Sequence, residues 1–113
     1  MALCRRVIDR LVAECEEGQG QVAAMRARAG MWNRNASPDA MPDQWRMNQL
    51  LSSLAPDQRQ VLADMLSEQF ASGVHEALVV LHEEGVAPLD DGYEGDPFSD
   101  FAGRMIGWDW PTE

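Results

Sequence analysis

Apolar residues recur every three or four positions along most of the chain, which is the spacing of amphipathic helices. The pattern predicts a first helix over about residues 2–17, which ends at the GQG sequence, and a second helical stretch before Gly30. Charged residues lie in the other directions around the first helix. Its apolar face is formed by Cys4, Ile8, Leu11 and Cys15. We therefore expect this helix to pack through that face on the rest of the protein.

The pattern breaks between residues 31 and 41, where asparagine, serine and Pro38 are typical of a loop. Pro42 can begin the next helix, because the first helical position needs no N–H donor. That helix reads PDQWRMNQLLSSL, and its expected core contacts are Trp45, Leu50, Leu51 and Leu54.

The most extended helical pattern runs from about residue 56 to residue 84. Pro56 suits its first turn, and Gly85 suits a left-handed residue after its last. Gly73 falls on the apolar stripe, so we expect a close helix crossing there. Between Val74 and Leu81, apolar residues point in nearly every direction, which predicts burial on most sides. This segment is therefore the predicted central helix.

The last quarter of the chain is predicted to be an irregular acidic segment followed by a short helix over PFSDFAGRMIG. Trp108 and Trp110 follow it, and the sequence leaves open whether they pin the terminus to the body or form an exposed patch. The pattern as a whole predicts an all-α protein. We expect residues 1–113 to form one single-domain helical bundle around the long helix at about 56–84, because 113 residues suffice for one buried core.

Composition also predicts where the protein is located in the cell and whether its two cysteines form a disulfide. No run of about 18 apolar residues occurs, and the first residues carry charges where a signal peptide needs an apolar stretch, so we expect a cytoplasmic protein. Cys4 and Cys15 would lie roughly 16 Å apart along one helix, beyond the limit of about 7 Å for a disulfide. They are interpreted as small core residues.

Charge is unevenly distributed along the chain. The net charge is −10, and all nine basic side chains are arginines. Residues 1–34 hold six arginines and four acids, whereas residues 35–113 hold three arginines and fifteen acids. No basic residue lies between Arg59 and Arg104. Such a surface repels phosphate and anionic lipid, so we expect no direct nucleic acid or membrane binding and a basic protein as the partner, if there is one.

His75 and His82 each precede a glutamate, which suggests a metal or acid-base site. They lie seven residues apart, however, about 10 Å along a helix, which is too far to share one zinc ion directly. The acidic loop also lacks the glutamate that closes a calcium-binding loop, because Phe101 occupies that position. We therefore predict no metal and no cofactor, and neither zinc nor calcium should bind tightly.

Three segments of the sequence resemble a known family. VIDRLVAECEEG, LLSSLAPDQRQVLADMLSEQFASGVHEALVVLHEEG and the ending DWP are similar to a family of small bacterial proteins classed as a domain of unknown function. The likeness is weakest over residues 27–44. The shared residues are of packing type, so the resemblance implies a bacterial single-domain protein and transfers no catalytic residues.

Two functions stay open on the sequence alone. The first is a non-catalytic interaction or regulatory protein, of the immunity, anti-defence or nucleic-acid-mimic type. Its partner surface would be Glu83, Glu84, Asp90, Asp91, Glu94, Asp96 and Asp100. The second is a small enzyme or ligand-binding domain that uses His75 and His82 with nearby carboxylates. An acidic loop that only aids solubility competes with the first function, and the sequence leaves homo-oligomerisation open.

Overall fold

The computed structural model describes residues 2–86 and 92–112, and the described residues form helices, turns and loops without a strand. The predicted all-α class is confirmed. The helices are α1 (Ala2–Glu16), α2 (Val22–Ala29), α3 (Pro42–Ser53), α4 (Pro56–Glu83) and α5 (Pro97–Met105), with a 3-10 turn at Gln19–Gln21 before α2.

The helices begin and end close to the positions that proline and glycine residues predicted. Pro42 and Pro56 each occupy the first turn of their helix. The backbone N–H of Ala55 donates to Oε1 of Gln58 at 2.9 Å, which satisfies a donor that the start of α4 would otherwise leave unpaired. Gly30 and Gly85 both adopt φ of 74° after α2 and α4. This left-handed conformation ends a helix at little cost when the residue is glycine.

Two separate clusters of buried side chains lie along α4. We call the first the α3 lobe (residues 19–69), where α2 and α3 meet the first half of α4. The second is the α5 lobe (residues 2–18, 70–86 and 92–112), where α1 and α5 meet the second half. The buried residues are Ala24, Ala27, Leu51 and Ala63 in the α3 lobe, and Cys4, Ile8, Cys15, Leu78 and Phe101 in the α5 lobe.

The predicted packing of α1 is confirmed. Ile8 and Cys15 are buried together with Leu78 of α4, and Leu11 packs against this cluster. Both cysteines are free thiols. Burial, together with the nearby carboxylates Glu16 and Glu14, raises the pKa of the Cys15 thiol, so this side chain serves as a small core residue.

Three packing predictions for the helices are wrong. Gly73 is exposed, and a Cβ added there would meet no neighbouring atom, so none of the described helices crosses at that point. Val80 and Leu81 are 55% and 37% exposed, and Leu50 of α3 is 55% exposed. Each neighbouring helix covers α4 on one side and along half its length only. The side of α4 that these helices leave uncovered therefore stays in solvent, and it includes the apolar Val80 and Leu81.

The molecule is long and narrow. Its principal extents are 54 × 27 × 19 Å and its radius of gyration is 17.8 Å. A compact chain of this length has a radius of about 13 Å. The length follows from α4, which runs through both lobes and whose 28 residues span about 42 Å.

Candidate functional site: an acidic end and an apolar groove

Among residues 2–86 and 92–112, the net negative charge lies in the α5 lobe. The α3 lobe contains five arginines and five acids, so it is neutral. The α5 lobe contains four arginines and eleven acids, so its net charge is −7. The two lobes therefore differ in charge while sharing one helix.

The predicted partner residues gather where α4 ends and α5 begins. Glu83 ends α4 and Glu84 follows it, while Asp96 caps α5 and Asp100 lies in its first turn. Glu94 lies in the segment that leads into α5. Asp90 and Asp91, which belong to the same predicted set, lie outside the described residues. The other five thus occupy one end of the α5 lobe.

Two of these carboxylates have structural partners. Oδ2 of Asp96 accepts a hydrogen bond from the Ser99 hydroxyl at 3.1 Å, and its Oδ1 accepts from the Ser99 backbone N–H at 3.5 Å. Oδ2 of Asp100 accepts a hydrogen bond from the Tyr93 hydroxyl. Burial, reinforced by this bond to a carboxylate, raises the pKa of Tyr93 well above its ordinary range. Asp96 and Asp100 therefore hold the start of α5 in place.

The three glutamates of the set face solvent. Glu83, Glu84 and Glu94 are exposed and form no ion pair with a described residue. Arg104 does not neutralise them, because its Nε lies 2.8 Å from Oδ1 of Asp9 and its Nη1 lies 3.8 Å from Asp109. These glutamates are the part of the predicted surface that is open to a partner.

The two histidines pack singly on one aromatic ring. The ring of Phe98 meets His75 at 5.7 Å and His82 at 5.4 Å between centroids, both edge to face. The carboxylate within ion-pair distance is that of the exposed Glu76, 3.5 Å from Nδ1 of His75. Within residues 2–86 and 92–112, no group of three histidine, cysteine or acidic side chains is placed to hold a metal ion. The rings thus fasten α5 to α4.

One of the two C-terminal tryptophans holds the terminal segment against α1, and the other is partly exposed. Nε1 of Trp110 donates to the carboxylate of Asp9 at 3.0 Å, and the guanidinium of Arg5 lies 5.1 Å from the centre of its ring. Trp110 therefore pins the chain end to α1. Trp108 meets Trp110 edge to face at 5.3 Å and is partly exposed.

An apolar groove between α3 and α4 was missed by the sequence reasoning. It encloses about 210 Å³. Its lining contains only apolar side chains: Trp32, Met47, Leu50, Leu51, Leu62 and Leu66. The sequence carries a signal for it, because residues 47, 50, 51 and 54 recur at helical spacing on one face of α3. The sequence predicts Leu50, Leu51 and Leu54 as core contacts, whereas Leu50 lines the groove and is exposed.

Asn48, the buried polar residue of α3, was also missed. Its Oδ1 accepts hydrogen bonds from the backbone N–H groups of Trp32 and Asn33 at 2.8 and 2.9 Å. Its Nδ2 donates to the Asn33 carbonyl at 2.7 Å. Asn48 therefore fixes α3 relative to the loop that contributes Trp32 to the groove.

Comparisons with other proteins identify the family of this chain but no biochemical activity. No helix within residues 2–86 and 92–112 has both the length and the apolar character needed to cross a bilayer. No curated protein and no solved structure matches this chain. A family model described as a family of unknown function (DUF6547) matches residues 1–112. The chain belongs to this family, as its packing motifs suggested.

Proposed function

We propose that this protein is a non-catalytic interaction module whose acidic end docks a basic partner protein. The observation that carries the proposal is the exposure of Glu83, Glu84 and Glu94 at one end of a molecule whose α3 lobe is neutral. Close like charges repel one another and weaken the folded state. A basic partner would relieve that repulsion when it binds.

The structure of this end supports docking better than a purely solubilising role. A solubilising surface works with charges of either sign spread over the whole molecule. Here the negative charge is concentrated, and the start of α5 that presents it is held by Asp96, Asp100 and the ring of Phe98. Ordered charges bind a partner more tightly than mobile ones, because less conformational freedom is lost on binding. An immunity or anti-defence role fits this chemistry.

A catalytic role for His75 and His82 receives less support from the geometry. An acid-base pair needs both groups to face one cleft within hydrogen-bond reach of a substrate. Each of these rings is instead packed against an edge or face of Phe98. We therefore place them in the structural support of the acidic end.

Charge-neutral variants of the exposed glutamates test the proposal. We would immobilise the wild-type protein and the variant Glu83→Gln, Glu84→Gln, Glu94→Gln, and identify proteins captured from cells of the source organism. The expected captured protein is basic, and its association rate should fall steeply as salt rises. In the variant, that rate should drop by about tenfold or more at low salt and lose most of its salt dependence.

A matched control separates this surface from charge in general. Glu16→Gln, Glu17→Gln, Glu68→Gln removes the same number of exposed glutamates elsewhere. The control should associate at close to the wild-type rate. Equal association by all three proteins at low salt, or equal loss in both variants, would refute docking through the acidic end.

A further inference from the structure

A second cleft of the α3 lobe lies between α2, the loop that follows it and the start of α3. It encloses about 560 Å³, and small-molecule sites typically enclose about 300–1,000 Å³. The charged residues of its lining are Arg26 and Arg34, and no acidic side chain lines it. The chain has nineteen acidic residues and nine basic ones, so a cleft whose charged groups are all arginines is selective for an anion.

The chain around this cleft is locally basic. Residues 18–38 contain three arginines and no acidic residue. Helix α2 is buried against Ala63 of α4, whereas the exposed glutamates at the end of α4 begin at Glu83. Twenty residues of helix separate these two positions, which is about 30 Å. Because the Debye length is about 8 Å at physiological salt, the acidic end does not prevent an anion from binding here.

Trp32 holds one of the two arginines in place. The guanidinium of Arg26 lies 5.3 Å from the centre of the Trp32 ring, and the backbone N–H of Trp32 donates to Oδ1 of Asn48. A cation–π contact limits the rotamers of an arginine without using its N–H donors. Neither Arg26 nor Arg34 forms a hydrogen bond or an ion pair with a residue in 2–86 or 92–112. Their donors are therefore available to a ligand, and little freedom of Arg26 is lost on binding.

The rest of the lining favours a phosphate that is joined to a ring. Oε1 of Gln44 accepts a hydrogen bond from Nδ2 of Asn33, which leaves Nε2 of Gln44 without a partner among the described residues. One guanidinium satisfies both oxygens of a carboxylate, whereas the three terminal oxygens of a phosphate monoester can accept from two guanidinium groups and an amide. Met25 and Met31 of the lining are 56% and 43% exposed. Methionine side chains adapt to aromatic rings and contact them favourably.

We infer that this cleft binds a small phosphate monoester with a planar ring, the chemical class to which mononucleotides belong. The phosphate pairs with Arg26 and Arg34 and accepts a hydrogen bond from Gln44. The ring packs on Met25 and Met31. The inference goes beyond the proposed function, because the cleft lies in the α3 lobe and uses no residue of the acidic end.

Isothermal titration calorimetry of the full chain at low salt tests this site with adenosine 5′-monophosphate (AMP). The wild-type protein should bind one equivalent with a Kd below about 1 mM, and adenosine, which lacks the phosphate, should bind at least about tenfold more weakly. Arg26→Gln and Arg34→Gln should each raise the Kd for AMP by about tenfold or more, because each removes charge-assisted hydrogen bonds to the phosphate. Arg28→Gln is the matched control, since Arg28 is an exposed arginine of α2 that does not line the cleft. It should leave the Kd within about threefold.

Several outcomes would overturn the inference. Circular dichroism should show wild-type helicity for each variant, because all three arginines are exposed; if Arg26→Gln disturbs the Trp32 contact and the fold, Arg34→Gln alone decides the result. Absence of AMP binding to the wild-type protein at about 1 mM refutes the site, and so does an equal loss in Arg28→Gln.

The ligand class has its own tests. Adenosine or inorganic phosphate that binds as tightly as AMP would show that the cleft does not recognise both parts of the ligand. Benzoate that binds as tightly as phenyl phosphate would overturn the preference for phosphate. The Glu83, Glu84, Glu94 variant should bind AMP like the wild-type protein, so failure of this inference is distinguishable from failure of the proposed function.

Discussion

Replacing Asn48 with alanine should weaken the α3 lobe more than its single side chain suggests. The substitution removes three hydrogen bonds, which join the side-chain amide to both backbone N–H groups of Trp32 and Asn33 and to the Asn33 carbonyl. Oδ1 of Asn48 is the acceptor for both N–H groups, whereas the Asn33 carbonyl also accepts a hydrogen bond from the Ala36 backbone N–H at 3.1 Å. The loop contributes Trp32 to the groove, so the wall of the groove should loosen as well.

The expected magnitude follows from the burial of the site. A buried polar group that loses its partner costs about 1–3 kcal/mol. Trp32 and Asn33 are half-buried, so water can reach part of the site and the lower end of that range applies to each of the two N–H groups that lose their acceptor. We therefore expect Asn48→Ala to lower the free energy of unfolding by about 2 kcal/mol, a substantial part of the 5–15 kcal/mol that is typical of a domain.

Urea denaturation followed by tryptophan fluorescence measures this change. The unfolding midpoint should fall by about 1–2 M with little change in slope. Asn35→Ala is the matched control, because Asn35 is exposed in the same loop and its hydrogen bond to Asn33 uses its backbone N–H. It should shift stability by less than about 0.5 kcal/mol. A loss below about 1 kcal/mol for Asn48→Ala would refute the reasoning, since it would show that water replaces the amide without cost.

Three further predictions follow from single residues or ligands. Gly73→Ala should stabilise the protein by about 0.5–1 kcal/mol in the same assay, because the exposed helix interior has room for the methyl group; destabilisation would show that Gly73 is packed. Tyr93 is the only tyrosine, so tyrosinate absorbance reports its titration. Its pKa is raised in the folded state, so its contribution to stability is complete below the unfolded value of about 10 and is lost as pH rises above it; native titration near pH 10 would contradict this. Zinc or calcium should leave the melting temperature within about 1 °C, whereas a rise of several degrees would reveal a bound ion.

Local sequence patterns predicted the helices well. Pro42, Pro56, Gly30 and Gly85 act through backbone geometry that depends on the residue itself, so they mark helix ends without knowledge of the fold. The face of α1 was equally predictable, because four apolar residues at helical spacing have one direction in which to be buried. These features depend on interactions within a few residues.

The tertiary structure decided which apolar positions become buried. Periodicity shows that Leu50, Gly73 and Val80 lie on apolar faces, but burial also needs a neighbouring element on that side. Within residues 2–86 and 92–112, no element covers Val80 and no helix meets Gly73, because α1 and α5 pack on another side of α4. The same limit hid the groove, whose two walls come from separate helices.

The predicted acidic partner surface also depends partly on the sequence and partly on the tertiary structure. The sequence by itself determined that the end of the chain is acidic and that its histidines are spaced too widely for one metal ion. Only the tertiary structure separated the exposed Glu83, Glu84 and Glu94 from Asp96 and Asp100, which hold α5 through Ser99 and Tyr93. Charge is a property of composition, whereas the availability of each carboxylate depends on which donors folding brings within hydrogen-bond distance.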